Sequence, residues 1–440
     1  MSVPEQNNAL QIVNFGGGSG GSVMAAGLVE AFSVRDLSVL LPQSDVPSSP
    51  DLFDGRITEV QVTNVTPVAD GGSKTLEVRQ IWGGPAVGDS RKVLGAVSSN
   101  AAGLLFRDTG GPQNTGGRFG AEATQGTVRD FNETVLGALA TSGVSTERPA
   151  AILEDVIGLT KELPNGLRGH TYGNLVLTAL RLDHGGDITL AVNEASRWLD
   201  AKARVLPVSA ESHNLVMYDG AKNRIVYGEG AIDDYVVADP SRIKVWLESG
   251  SVKNFIEEDP RKVRELLEAG KFAPRPHATP EAVAAVANSR VAMAGPGSPI
   301  TSLRPAMQPL GIAGSMAVQQ ERGGLWVAIA NLDTEESTPD LTLEGYLGWL
   351  EEDVERPFSY VIHNDPTHEL PEGSTRIQSD PERIKIRDAI AIGAVLVGVN
   401  ATKNPNDPIA HLRAGRYHNT WNIADALQAH VLPEAMAAAA

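Results

Sequence analysis

The stretch that most constrains this chain is Phe15-Gly16-Gly17-Gly18-Ser19-Gly20-Gly21-Ser22. An apolar run, Ile12-Val13-Asn14-Phe15, precedes it, and Met24-Ala25-Ala26-Gly27-Leu28-Val29 reads as the start of a helix. A strand, a glycine turn and a helix N-terminus in that order make an anion cradle. Without Cβ atoms the turn lets a phosphate approach the backbone, and the first helical N–H groups point at it. Gly16-x-Gly18-x-x-Gly21 meets the spacing of the dinucleotide fingerprint, although a glycine run before a helix is also ordinary loop chemistry.

Short apolar runs that end at turns recur along the chain and read as buried parallel strands. They are Arg204 to Val208, Arg290 to Ala294, Leu325 to Ala330, Ser359 to Ile362 and Ala394 to Val399, while Glu59 to Val65 alternates, is β-branched and also reads as a strand. Leu37 to Leu41 is a strand or a helix end, followed by a Pro-rich turn region from Pro42 to Asp54. Helical patterns cover about Val128 to Ala140, Ala150 to Leu163, an amphipathic Leu175 to Leu182, and Leu341 to Val354 with Leu343, Leu347 and Leu350 on one face. The alternation predicts an α/β, Rossmann-like, doubly wound and mostly parallel sheet with helical insertions. We expect one domain over residues 9–433. It carries a helical cap at 104–166, with a glycine-rich loop from Asp108, and a surface insertion at 250–289 interrupted by Pro274, Pro276 and Pro280. Residues 434–440 read as a frayed tail.

Composition removes several function classes. The net charge of −17 disfavours a nucleic-acid partner, which needs a basic surface to displace counterions. With no cysteine, disulfides, thiolate nucleophiles and cysteine-based zinc sites are out, as suits a reducing cytoplasm. The polar N-terminus lacks a signal-peptide pattern, and no run approaches the ~18–20 apolar residues of a membrane span. A cytoplasmic protein without a membrane partner is the expectation.

A second glycine turn, Gly295-Pro296-Gly297-Ser298-Pro299-Ile300-Thr301-Ser302, follows the Val291 strand and offers the same access and donors. Two such turns at two strand ends suit a pyrophosphate or nucleotide-sugar. Asp70, flanked by Gly71, Gly72 and Ser73, sits where the Glu59 strand should end, placed to accept ribose hydroxyls or hold Mg²⁺. Asp89 is a second carboxylate or an N-cap. His170 and Asn174 fall at i and i+4, on one face of the following helix. Gly72-Ser73-Lys74-Thr75 lacks Walker spacing, so a P-loop ATPase is excluded.

Taken together these motifs resemble the CofD/YvcK-like superfamily of 2-phospho-L-lactate transferases and UDP-sugar-binding gluconeogenesis factors, the latter branch most closely. The resemblance rests on Gly16 to Gly20, Val68 to Lys74, Val87 to Arg91, Gly169 to Leu175, Val205 to Ser209, Gly228-Glu229, and Gly295 to Ser298 with Thr301 and Ser302. Asn331 follows its strand as the family asparagine does, and Arg416 to Asn419 matches loosely. The chain departs from the family in having Asp70 without a second adjacent aspartate, and in its extra segments.

The resemblance implies a homodimer that binds a nucleotide or nucleotide-sugar through Gly16, Gly17, Gly18, Ser19, Gly20, Asp70, Gly71, Gly72, Ser73, Arg91, His170, Asn174, Gly295, Gly297, Ser298, Thr301, Ser302 and Asn331. Two functions stay open. One is a regulatory UDP-sugar binder with no cofactor. The other is a transferase moving a phospholactyl or phosphoenolpyruvyl group onto a deazaflavin alcohol, with Mg²⁺ held by Asp70 and Asp89. A nicotinamide oxidoreductase ranks third, because the acid expected about 20 residues beyond the glycine turn has no clear home. Asp70→Ala should weaken ligand binding under either leading reading in a titration, whereas Mg²⁺ dependence of binding should appear only for a transferase.

Overall fold

Alternation of side chains along apolar strands dictates two covered sheet faces, and the chain builds both. The computed structural model describes residues 9–33, 59–69, 72–107, 117–237, 239–268, 275–331, 338, 341–364, 389–392 and 420–437. The chain opens with β1 (Ala9–Phe15), α1 (Gly18–Ser33), β2 (Glu59–Thr66), α2 (Ser73–Trp82) and α3 (Gly88–Val97). Four helices follow: α4 (Gln125–Thr141), α5 (Glu147–Thr160), α6 (Tyr172–Asp183) and α7 (Ile188–Trp198). Next come β3 (Arg204–Pro207), β4 (His213–Asp219), β5 (Arg224–Tyr227), α8 (Glu229–Asp233), β6 (Ile243–Ser249), β7 (Phe255–Glu257), α9 (Pro260–Glu268) and α10 (Pro280–Asn288). The last part holds β8 (Val291–Ala294), α11 (Arg304–Met307), α12 (Ile312–Glu321), β9 (Leu325–Ile329), α13 (Leu343–Val354), β10 (Tyr360–Asn364), β11 (Ala389–Ile392), α14 (Thr420–Ala426) and α15 (Leu432–Ala437).

The main sheet has the order β11-β10-β9-β8-β1-β2-β3, with every pair parallel. On one face Ile12, Val62, Met293, Val327 and Ile362 join the core formed with α1, α3, α6 and α7. On the other, Val13, Val65, Ala292, Trp326 and Val361 pack against α10, α12 and α13. The fold is thus the expected doubly wound α/β architecture. β1 is its centre, with β2 on one side and β8 on the other.

The sequence reading contains no second sheet, yet β6-β4-β5-β7 forms an antiparallel one. Leu215, Met217, Val245 and Leu247 face Ala69, beyond β2, and Ile300, beyond β8. Val216, Ile225 and Tyr227 face Val263 of α9. The sheet therefore stands against the carboxyl edge of the parallel strands. The alternation of buried Ile243, Val245 and Leu247 with the more exposed Lys244, Trp246 and Glu248 is its sequence signal.

Further differences have physical causes. α6 is buried from Tyr172 to Arg181 rather than amphipathic, because α3, α5 and α7 enclose it. Residues 250–289 are not all a surface insertion: α10, opened by the Thr279 cap and Pro280, buries Ala282 and Val286 in the sheet-facing core. α4 and α5 pack on each other and α5 on α6, so the 104–166 segment is anchored through α6. α15 runs to Ala437 with Ala435 buried, so the chain is still helical where a frayed tail was expected. The expected elements at 37–41 and 394–399, the turns at 42–54, the loop at 108–116 and Arg416 to Asn419 lie outside the described residues.

Trp326 is the largest fully buried side chain, stacked on Phe358 at 4.7 Å between ring centroids and edge-on to Phe15 at 5.8 Å. Trp326→Ala should lower stability by about 3–5 kcal/mol, read as a reduced urea midpoint.

Candidate functional site

The first glycine turn is built from the strands beneath it. Asn14 and Asn64 are register partners on β1 and β2, and Asn14 Nδ2 donates to Asn64 Oδ1 at 2.7 Å. Asn64 Nδ2 then donates to the Gly16 carbonyl at 2.8 Å, while the Gly16 N–H reaches the Val65 carbonyl at 3.1 Å. The chain next bends into α1, whose first N–H, that of Gly18, donates to Asp89 Oδ1 at 2.6 Å. Asp89 is buried, and a Cβ on Gly17 would overlap its carboxylate. Glycine at 17 is thus a consequence of this docking.

The second turn leans on the first. The Gly295 N–H donates to the Phe15 carbonyl at 3.2 Å, and a Cβ on Gly20 would lie 2.5 Å from the Pro296 carbonyl oxygen. Asn331, at the end of β9, clamps Gly297 from both sides: its Oδ1 accepts the Gly297 N–H at 2.8 Å and its Nδ2 donates to the Gly297 carbonyl at 3.0 Å. Ser298 caps the following turn, its Oγ accepting the Thr301 N–H at 3.1 Å. Ser302 faces back, its Oγ 3.8 Å from where a Gly18 Cβ would stand. These turns end β1 and β8, neighbours from which the chain proceeds in opposite directions across the sheet. That is the topological switch point, where open parallel sheets bind ligands.

The α3 N-terminus links this crevice to the first turn of α6. Asp89 holds Gly18, Ser90 Oγ lies 2.7 Å from Thr66 Oγ1 at the end of β2, and the stem of Arg91 lies against Gly173. Arg91 is fully buried and donates from Nη1 to the Phe106 carbonyl at 2.6 Å, so it braces the neighbouring 101–106 turn from inside. His170 and Asn174 are buried beside the start of α2, which Gly72 precedes and Ser73 opens. Asp70 and Gly71 lie outside the described residues.

Asp89 does not fit a magnesium ligand. Its Oδ1 is taken by an amide, the Lys92 ammonium stands 3.6 Å away, and its other oxygen is packed on Gly17. Among the described residues no group of three histidines or carboxylates is gathered to hold a metal.

The model of the family described as 2-phospho-L-lactate transferase CofD matches residues 12–396. The chain belongs to the CofD family. Among curated proteins, a CofD-family stretch of 72 residues is 40% identical to a protein of Aquifex aeolicus (strain VF5) named "Putative gluconeogenesis factor". That match spans 16% of this chain and 21% of the relative. Two crystal structures of a UPF0052-family protein (BH3568) from Bacillus halodurans share the fold, with TM-scores of 0.61 and 0.60. Both are 20% identical, over 95% of this chain and 99% of theirs. No helix among the described residues of this CofD-family chain is long and apolar enough to cross a membrane.

Sequence reasoning passed over residues that hold this crevice together. Asn14 and Asn64 had a signal, being polar positions inside apolar strands. Arg79 had none nearby: from α2 it donates to the Ala69 carbonyl at 3.2 Å and the His213 carbonyl at 2.6 Å, tying the turn after β2 to the second sheet. His213 is buried beside it, and burial, then the Arg79 charge, push its imidazole from 6.5 down to about 4.

Between those values the unfolded chain holds a proton that the folded chain refuses, so folding stability rises with pH across that window. As pH falls from 6.5 to 4 this histidine should remove up to about 3 kcal/mol. His213→Gln should flatten that part of a pH series of urea midpoints. His170, also held below its ordinary value chiefly by burial, leaves a residual slope of the same sign.

Proposed function

We propose that this protein is a nucleotide-sugar-binding regulatory protein of the gluconeogenesis-factor type, which holds the ligand's pyrophosphate between its two glycine turns. The carrying observation is the approach of Gly20 to Pro296 across the switch point. The first four N–H groups of a helix lack intrahelical partners. In α1 the Gly18 N–H goes to Asp89 and the Gly21 N–H to the Gly17 carbonyl, and the Gly20 amide between them is offered to phosphate oxygens. The helix dipole favours the negative charge there.

The second sheet, seated against Ala69 and Ile300, supports this reading by supplying a wall for the rest of a long ligand. The name of the Aquifex relative agrees with a gluconeogenesis-factor role. The engaged state of Asp89 speaks against the magnesium-dependent transferase. The same proposal takes the protein to be a cytoplasmic homodimer.

The test is a thermal-shift panel with UDP-N-acetylglucosamine, UDP-glucose, GDP, NAD and a deazaflavin, each with and without Mg²⁺. A ligand at about 100 times its Kd should stabilise by about 2.7 kcal/mol, a shift of a few degrees. The expected outcome is a shift with a UDP-sugar that ignores Mg²⁺ and is lost in Gly20→Ala, whose methyl would force the turns apart. A Mg²⁺-dependent shift confined to GDP or the deazaflavin would replace this function with the transferase.

A further inference from the structure

The carboxyl edge of the parallel sheet carries the glycine turns, whereas its amino edge holds a separate cavity of about 560 Å³, within the size range of small-molecule sites. The cavity floor is the start of β1 and β2, where Gln11 Nε2 donates to Gln61 Oε1 at 2.6 Å. The last turn of α7 and the link at 200–203 form the wall. Gln11 and Gly16 stand roughly 16 Å apart at the rise of a parallel strand, so the cavity and the crevice can be filled together.

The cavity exists because β3 starts late. β2 begins at Glu59, but its pairing with β3 begins only at Thr63, opposite Arg204. The Val65 carbonyl accepts from Gly16 on the β1 side and the Thr66 carbonyl from Val208 on the β3 side. The same alternation turns the Val60 N–H and carbonyl away from β1. Among the described residues no strand pairs with Val60 on that side, so a backbone donor and acceptor face the gap.

The lining charges decide what the gap attracts. Arg197, Lys202 and Arg204 stand against Glu59 and Asp200. Lys202 Nζ donates to Asp200 Oδ2 at 2.7 Å, and that oxygen also accepts from Ser99 Oγ. The Arg197 and Arg204 guanidiniums are exposed and have no hydrogen bond or ion pair among the described residues. An unengaged guanidinium binds a carboxylate or phosphate through two parallel N–H groups. The two acids on the same wall, and a net charge of −17, turn away a long polyanion such as nucleic acid. Glu59 Oε2, 3.4 Å from Gln61 Nε2, and the Asn193 amide are acceptors for hydroxyls.

We propose that this cavity is a second ligand site, for a small hydroxylated dianion whose phosphate or carboxylate groups are held by Arg197 and Arg204. The site is independent of what fills the crevice, because it shares no residue with the glycine turns.

Calorimetric titration of the full-length wild type, Arg197→Gln, Arg204→Gln and Gly20→Ala with β-glycerophosphate and with tartrate tests it. Arg261→Gln, at an exposed arginine of α9, controls for net charge. At least one probe should bind the wild type, about tenfold more weakly to each cavity variant and equally well to Gly20→Ala and Arg261→Gln. Binding of β-glycerophosphate alone assigns the anion to phosphate, and binding of tartrate alone assigns it to carboxylate. Wild-type protein that binds neither probe, or binding that both cavity variants leave unchanged, overturns the site. An equal loss in Arg261→Gln overturns it too, as does a loss confined to Gly20→Ala, which would place the anion on the glycine turns.

Discussion

The structure around the site depends on one charge-assisted hydrogen bond, from the Gly18 amide to the Asp89 carboxylate. It gives the N-terminus of α1 a fixed anion and brings α3 against α1. It also explains why residue 17 has no side chain, since the carboxylate fills the space a Cβ would take. A carboxylate held in this way is a structural part of the glycine turn.

From that anchor the crevice is assembled by backbone contacts more than by exposed charges. Gly295 hydrogen-bonds to the end of β1, Asn331 grips Gly297 on both its N–H and its carbonyl, and Gly20 closes on Pro296. Charged side chains stand behind this surface. Arg91 braces the 101–106 turn and Arg79 ties the turn after β2 to the second sheet. Under the proposed function this preorganisation favours the phosphate-bearing ligand, because the donors are oriented before it arrives.

Both glycine turns, the strands beneath them and the helices that follow were legible in the sequence. Close backbone approach demands glycine, and burial on two faces demands continuous apolar runs. The Asn331 clamp was legible only as a family position, since its partner Gly297 lies 34 residues away. The second sheet escaped because its strands mix polar with apolar residues, as a sheet built on antiparallel pairs permits. Arg91 was named through the family motif Val87 to Arg91, and its hydrogen bond to the Phe106 carbonyl was not legible because no local pattern pairs the two.

The sequence by itself determined the class of fold and the two glycine turns, both consequences of local spacing and backbone chemistry, whereas His170, expected on the helical face of Asn174, stands before the extended Thr171 cap of α6. Only the tertiary structure decided what those residues meet. It set Asp89 on Gly18 across 71 residues and carried Arg79 to the His213 carbonyl across 134. It also brought Glu77 beside His170. Local periodicity reports which face of an element is buried, whereas the partners on that face are chosen by packing between elements that no local pattern encodes.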